Sequence, residues 1–238
     1  MVGSRIAAGC TLAAAMLCAV TLLSGCNVAG WLANVGGGNG TMEAASYKHL
    51  ANQTCGVMVW ADDGVLEDYQ TLQLDAAKGL QAKLEEAAHA KVDEVANINW
   101  IPPEQVIAYM QNHSETAGEA VEEVAPRLGV SRLIYVEIQR FDTHPKDSPE
   151  LWRGSIVANV EVVEVANGKG TVAYSERDLN VVAPKDCPSE GLPNLDENAV
   201  YAATVDSFTS ELGKRFVPHE SDADANPSPS DVEKMQQQ

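Results

Sequence analysis

Between residues 54 and 218 the spacing of hydrophobic positions changes several times, and each change marks a new element. Residues 55–61 form a short apolar run that predicts a buried strand. Over residues 75–90, Leu80, Leu84, Ala87 and Ala88 recur at helical spacing, with Lys83, Glu85 and Glu86 expected outside. A short strand is expected over residues 95–101, where Asn97 and Asn99 alternate with Ile98 and Trp100. Pro102-Pro103 halts it and opens a helix through Gln105, Val106, Tyr109 and Met110, since proline is tolerated in a first turn. Thr116-Ala117-Gly118-Glu119 matches a capping box. It predicts a helix with Val121, Val124, Ala125 and Leu128 on one face, a kink point at Pro126 and a stop at Gly129.

Strict alternation follows. Residues 133–141, 151–166 and 171–182 read as three strands. In the first, Ile134, Val136 and Ile138 share a face opposite Glu137 and Gln139; in the second, Trp152, Ile156, Ala158, Val160 and Val162 share one, Trp152 reading as core. Asn167-Gly168-Lys169-Gly170 joins the second and third runs as a hairpin turn. Asn194-Leu195-Asp196-Glu197 then caps a long helix with Tyr201, Val205, Phe208, Leu212 and Phe216 on one stripe. The order β-α-β-α-α-β-β-β-α predicts an α+β fold, an α/β sandwich. Its mixed sheet would have about five strands, an antiparallel meander beside a β-α-β part, with helices packed on it.

The ends have a different character. Residues 1–5 supply a short basic start and residues 6–23 are almost wholly apolar or small, the layout of a secretory signal. The run is rich in Ala, Gly, Cys and Thr, which argues against a retained transmembrane anchor. Leu23-Ser24-Gly25-Cys26 resembles the bacterial lipobox. That resemblance implies cleavage after residue 25, a lipidated Cys26 as mature N-terminus, and membrane attachment through it. Two acyl chains anchor a protein stably where one does not. Asn27 after the cysteine points to the outer membrane, facing the periplasm, by the enterobacterial sorting rule. Residues 26–53, with Gly36-Gly37-Gly38-Asn39-Gly40, are expected to be a flexible tether. Residues 54–218 form the single domain, and residues 219–238 an acidic, disordered tail.

The formal net charge of −18 repels phosphate backbones and argues against nucleic-acid partners. Of five cysteines, Cys10 and Cys18 fall in the leader and Cys26 takes the lipid. Cys55 and Cys187 remain as a candidate disulfide, although an apolar strand is also an ordinary place for a free thiol.

The stretch Ala125-Pro126-Arg127-Leu128-Gly129-Val130-Ser131-Arg132-Leu133-Ile134-Tyr135-Val136-Glu137-Ile138 resembles the helix, Leu-Gly-Val and strand passage of certain bacterial envelope lipoproteins. These include the curli secretion lipoprotein CsgG, the penicillin-binding-protein activator LpoB and the amino-terminal domain of TolB. Glu161-Val162-Val163-Glu164-Val165-Ala166-Asn167-Gly168-Lys169-Gly170 is similar to their Val-Asp-Val-x-Thr-Gly strand and turn, Glu164 and Asn167 departing from the common letters. The resemblance implies an αβ domain that binds an envelope protein, or self-assembles, without catalysis. Pore formation does not carry over, because Glu137, Arg153, Glu161, Glu176, Arg177 and Asp178 interrupt the faces that a lipid-facing barrel would keep apolar.

No catalytic motif stands out. The five histidines lack metal spacing, no C-x-x-C occurs, and no phosphate loop or nucleophile elbow is present, so no catalytic residue, metal or cofactor is expected. Asp142-Thr143-His144-Pro145-Lys146-Asp147 could furnish a base or a ligand for a periplasmic enzyme or small-molecule binder, but also reads as a plain polar loop. Asp62-Asp63-Gly64 reads as a turn. Trp100, set among asparagines and followed by two prolines, is the expected partner contact, and Tyr109 is a second candidate.

Overall fold

The computed structural model describes residues 42–221. Its strands are β1 (Met42–Glu43), β2 (Thr54–Ala61), β3 (Asn99–Trp100), β4 (Arg132–Asp142), β5 (Gly154–Ala166), β6 (Lys169–Ala183) and β7 (His219–Glu220). Its α-helices are α1 (Asp63–Asp68), α2 (Leu72–His89), α3 (Pro103–Asn112), α4 (Val121–Arg127) and α5 (Glu197–Gly213). One unit contains the antiparallel pair β1–β7, and the other runs from Ala44 to Pro218.

The larger unit is the expected α+β architecture, with a mixed five-stranded sheet in the order β3-β2-β4-β5-β6. β2 is parallel to both β3 and β4, while β4, β5 and β6 form the antiparallel meander. Paired residues share a face, so the register sorts the side chains into two sets. Val57, Ile134 and Val162 stand in one rank, and Gly56, Leu133 and Val163 in the next on the opposite side. Helices α2 and α5 pack on each other and cover the first side. Met58, Leu133 and Val163 join Val106 of α3 and Val121, Val124 and Ala125 of α4 in a cluster on the second.

Several expectations need correction. The packed unit begins at Ala44, not at residue 54, because Ala45, Tyr47 and Leu50 are buried. The Tyr47 hydroxyl donates to Glu164 at 2.8 Å, and its ring meets Phe216 edge-on. His219 and Glu220 belong to a strand, not to a disordered tail. Lys83, expected outside, is 7 % exposed and its ammonium lies 2.9 Å from Asp206 on α5. The capping box is not formed. Thr116 Oγ1 donates back to the His113 carbonyl at 2.7 Å and closes a 3-10 turn, so α4 starts five residues later. Strand β3 keeps only two residues, because Asp93–Val95 coils into a second 3-10 turn. Asp62, read as part of a turn, instead caps α1, accepting from the Gly64 amide at 2.9 Å. Trp152 lies outside β5 and is only half-buried.

The turns behave as read. Asn167 and Gly168 both take positive φ (52° and 72°), the demand of a two-residue hairpin. Strand β6 has two more residues than β5, and its register shifts twice against it, so the outer edge of the sheet is bent by bulges. The opposite edge is a two-residue strand followed by prolines, which cannot donate to a further ladder.

Candidate functional site

Cys26, the expected lipid attachment point, lies outside the described residues. The two sequence-predicted contact residues are separated by the sheet. Trp100 pairs with Cys55 and therefore lies on the α2 side, whereas Tyr109 packs against the Met58–Leu133 cluster on the other. The Tyr109 ring also lies 4.4 Å from the His113 ring.

Trp100 is half-exposed between two open hollows. One, of about 270 Å³, is walled by Gln81 on α2 and by Pro102 and Pro103; the other, of about 390 Å³, by His89, Val95 and Ile98. An ion pair of 2.6 Å between Lys78 and Glu104 bridges α2 to α3 beside the first hollow. Gln81 donates its amide to Glu85 at 2.7 Å, but its buried Oε1 has no partner among the described residues. A buried acceptor of this kind costs stability until a donor reaches it. The geometry therefore combines an aromatic ring with a stiff proline shoulder.

A second concavity sits on the opposite side, beside the N-terminal end of α4. It holds about 250 Å³ and is lined by Met58, Val121, Val124 and Val172 together with Tyr135, Glu119, Glu122 and Glu161. Glu119 is engaged by Arg127. Burial pushes the Glu161 carboxyl above its ordinary value, helped by Glu122 and Glu137 and opposed by Arg177. Tyr135 is pushed up to about 12 by burial and by Glu137 and Glu161, so its ring stays neutral. Sequence reading missed this place because its residues come from β2, α4, β4, β5 and β6.

The candidate disulfide is not formed, and both thiols are free. Cys55 lies buried in β2 with its Sγ 3.9 Å from the Leu50 carbonyl oxygen, and burial pushes it up to about 12. Cys187 belongs to the loop between β6 and α5, where its Sγ is 3.8 Å from the Trp152 carbonyl oxygen. Each sulfur is held by a different carbonyl in a different part of the unit.

In the loop over residues 142–147, His144 is turned into packing. Its Nδ1 lies 2.8 Å from the Leu151 carbonyl oxygen and its ring 4.0 Å from Trp152. Thr143 is buried, with its hydroxyl 3.0 Å from that of Tyr69. Among the described residues no group of three or more His, Cys, Asp or Glu could hold a metal ion. No described helix is long and apolar enough to cross a membrane.

No family model and no curated protein matches this chain. Solved structures similar to it include the PelC dodecamer from Paraburkholderia phytofirmans, at 13% identity and a TM-score of 0.39, over 75% of this chain and 99% of that one. Another is the hypothetical protein CT253 from Chlamydia trachomatis, at 14% identity and a TM-score of 0.34, over 55% of this chain and 72% of that one. At these values the likenesses carry no functional argument, so the reading of this chain rests on its own residues.

Proposed function

We propose that this chain is a lipid-anchored protein of the bacterial envelope, and that its αβ domain binds or assembles with another protein there without catalysing a reaction. The observation that carries the proposal is the order of the N-terminal features: a basic start, an apolar run, then Leu23-Ser24-Gly25-Cys26. Lipidation of Cys26 would hold the protein at a bilayer, and Asn27 favours the outer membrane. The resemblance to envelope lipoproteins supports the same reading. For the binding role, support comes from Trp100, half-exposed between open hollows beside Pro102 and Pro103. Tryptophan is enriched among the side chains that dominate interface energetics.

Two measurements test this. Cys26→Ser should abolish labelling by a fatty-acid probe and move the protein to the soluble fraction; a variant that stays with the membrane sinks the anchor. In cells, a photo-crosslinking amino acid at position 100 should capture a defined envelope partner. If neither that position nor others around the domain capture one, the binding role fails.

A further inference from the structure

We propose that the groove beside α4 receives a basic side chain, arginine above all, presented by a segment of a partner protein. The inference rests on the protein-binding half of the reading above and is independent of the lipid anchor. The groove has two zones. Met58, Val121 and Val172 line it with apolar side chains, and Tyr135, Glu122 and Glu161 add a neutral aromatic ring and two carboxylates to the same lining. Neither Glu122 nor Glu161 has a cation within ion-pair distance among the described residues, unlike Glu119, which Arg127 takes.

The matching guest must have an apolar stem and a cationic head. A bare metal ion does not meet that demand, since it has no use for the apolar side chains and no group of three His, Cys, Asp or Glu among the described residues could hold it. Arginine and lysine do, because their stems lie along apolar surface while the charge reaches the rim. Arginine fits better, since a planar guanidinium can stack on the Tyr135 ring while meeting carboxylates at its edge. Charge complementarity extends beyond the groove, for a chain of net charge −18 draws basic surfaces toward it.

The rim is held by backbone. Gly170, at the start of β6, lies so close to α4 that a Cβ on it would sit 2.3 Å from the Glu122 carbonyl oxygen. Hairpin and helix thus touch main chain to main chain, and Glu122 keeps its place relative to Glu161 without a flexible spacer. Burial and the neighbouring Glu122 and Glu137 raise the Glu161 carboxyl, and Arg177 offsets them only in part, so a further cation beside it would be favoured.

The test is a titration of the full chain with a capped Gly-Val-Arg-Val-Gly peptide and with its citrulline twin, which has the same shape without the charge. The arginine peptide should bind saturably, and citrulline should weaken it about tenfold. The double variant Glu122→Gln/Glu161→Gln should erase that ratio. The control Glu67→Gln/Glu197→Gln, which removes two exposed carboxylates elsewhere, should keep it. Absence of saturable binding, a ratio that survives in the groove variant, or an equal loss in the control would each overturn the proposal. Crosslinking probes separate it from the broader reading. Capture at position 100 but not at 172 overturns the groove alone, whereas no capture at either overturns the binding role as well.

Discussion

On the α2–α5 side of the sheet, the ranks Val57–Ile134–Val162 and Val59–Val136–Val160 are apolar and buried throughout. On the α3–α4 side, the same strands start with Gly56, Leu133 and Val163, pass through Met58, Tyr135 and Glu161, and reach Trp60, Glu137 and Asn159. Two short helices cover only the first part of that progression, and beyond them Asn159, half-buried, donates to the half-buried Glu137 at 2.9 Å. A sheet covered along its length by two long helices stabilises a fold. A side covered for part of its length leaves polar ranks and a groove at the boundary, which is where recognition can be placed.

The strongest way to break this contrast is to empty the covered side. Phe208, on α5, is 1 % exposed, and Phe208→Ala should cost about 3–5 kcal/mol in urea unfolding. A loss below about 1 kcal/mol would mean that α5 does not carry the core. Next comes the close approach of β5 to α5. A Cβ at Gly154 would fall 1.7 Å from Thr204 Oγ1. Gly154→Ala should therefore lower stability by about 1–3 kcal/mol, and adding Thr204→Ala should recover part of it in thermal melts.

A smaller effect tests the charge network at the end of α5. Arg215 Nε and one terminal nitrogen bind both Glu176 oxygens at 2.8 and 2.9 Å, and this holds the Glu176 carboxyl below its ordinary value despite partial burial. A depressed carboxyl adds stability that is fully present above the ordinary value of 4.5 and is lost as pH falls through the lower folded value. Glu176→Gln should cost about 1 kcal/mol at neutral pH and flatten the acid limb of stability against pH. An unchanged limb would show that the pair contributes nothing.

The smallest effect has the opposite sign and belongs to the partly covered side. Glu161 is held above 4.5, so the folded state prefers it protonated; its cost is present at neutral pH and vanishes once pH falls below 4.5. Glu161→Gln should stabilise the protein by a few tenths of a kcal/mol at pH 7 and leave it unchanged in acid. Destabilisation at pH 7 would remove the idea that this carboxylate is kept at the expense of stability.

The two sides were not equally legible. Alternation located β4, β5 and β6 to within a few residues, because burial on one face of a strand writes itself into every second position. Helix α2 was equally plain except at Lys83, whose long stem and ion pair to Asp206 only a facing helix could supply. Tyr47 and Leu50 fall within the expected glycine-rich tether, since so short a segment shows no period of its own, yet the folded sheet gives both a buried site. Thr116 carried the letters of a cap without its geometry, since its hydroxyl had a nearer carbonyl to bind. The groove was hardest to foresee. Glu161 looked like an interruption of an apolar face until β4 brought Tyr135 beside it and α4 set Glu122 opposite.

The sequence by itself determined the class of fold, the meander and the hairpin turn. Those follow from local conformational preference and from periods of 2 and 3.6 residues. Tertiary structure alone decided which carboxylates crowd together, which lysine is buried, that Trp100 and Tyr109 face away from each other, and that Cys55 and Cys187 stay free thiols. Those depend on pairing between segments far apart in the chain, where register and packing, rather than any residue's own preference, set the neighbours.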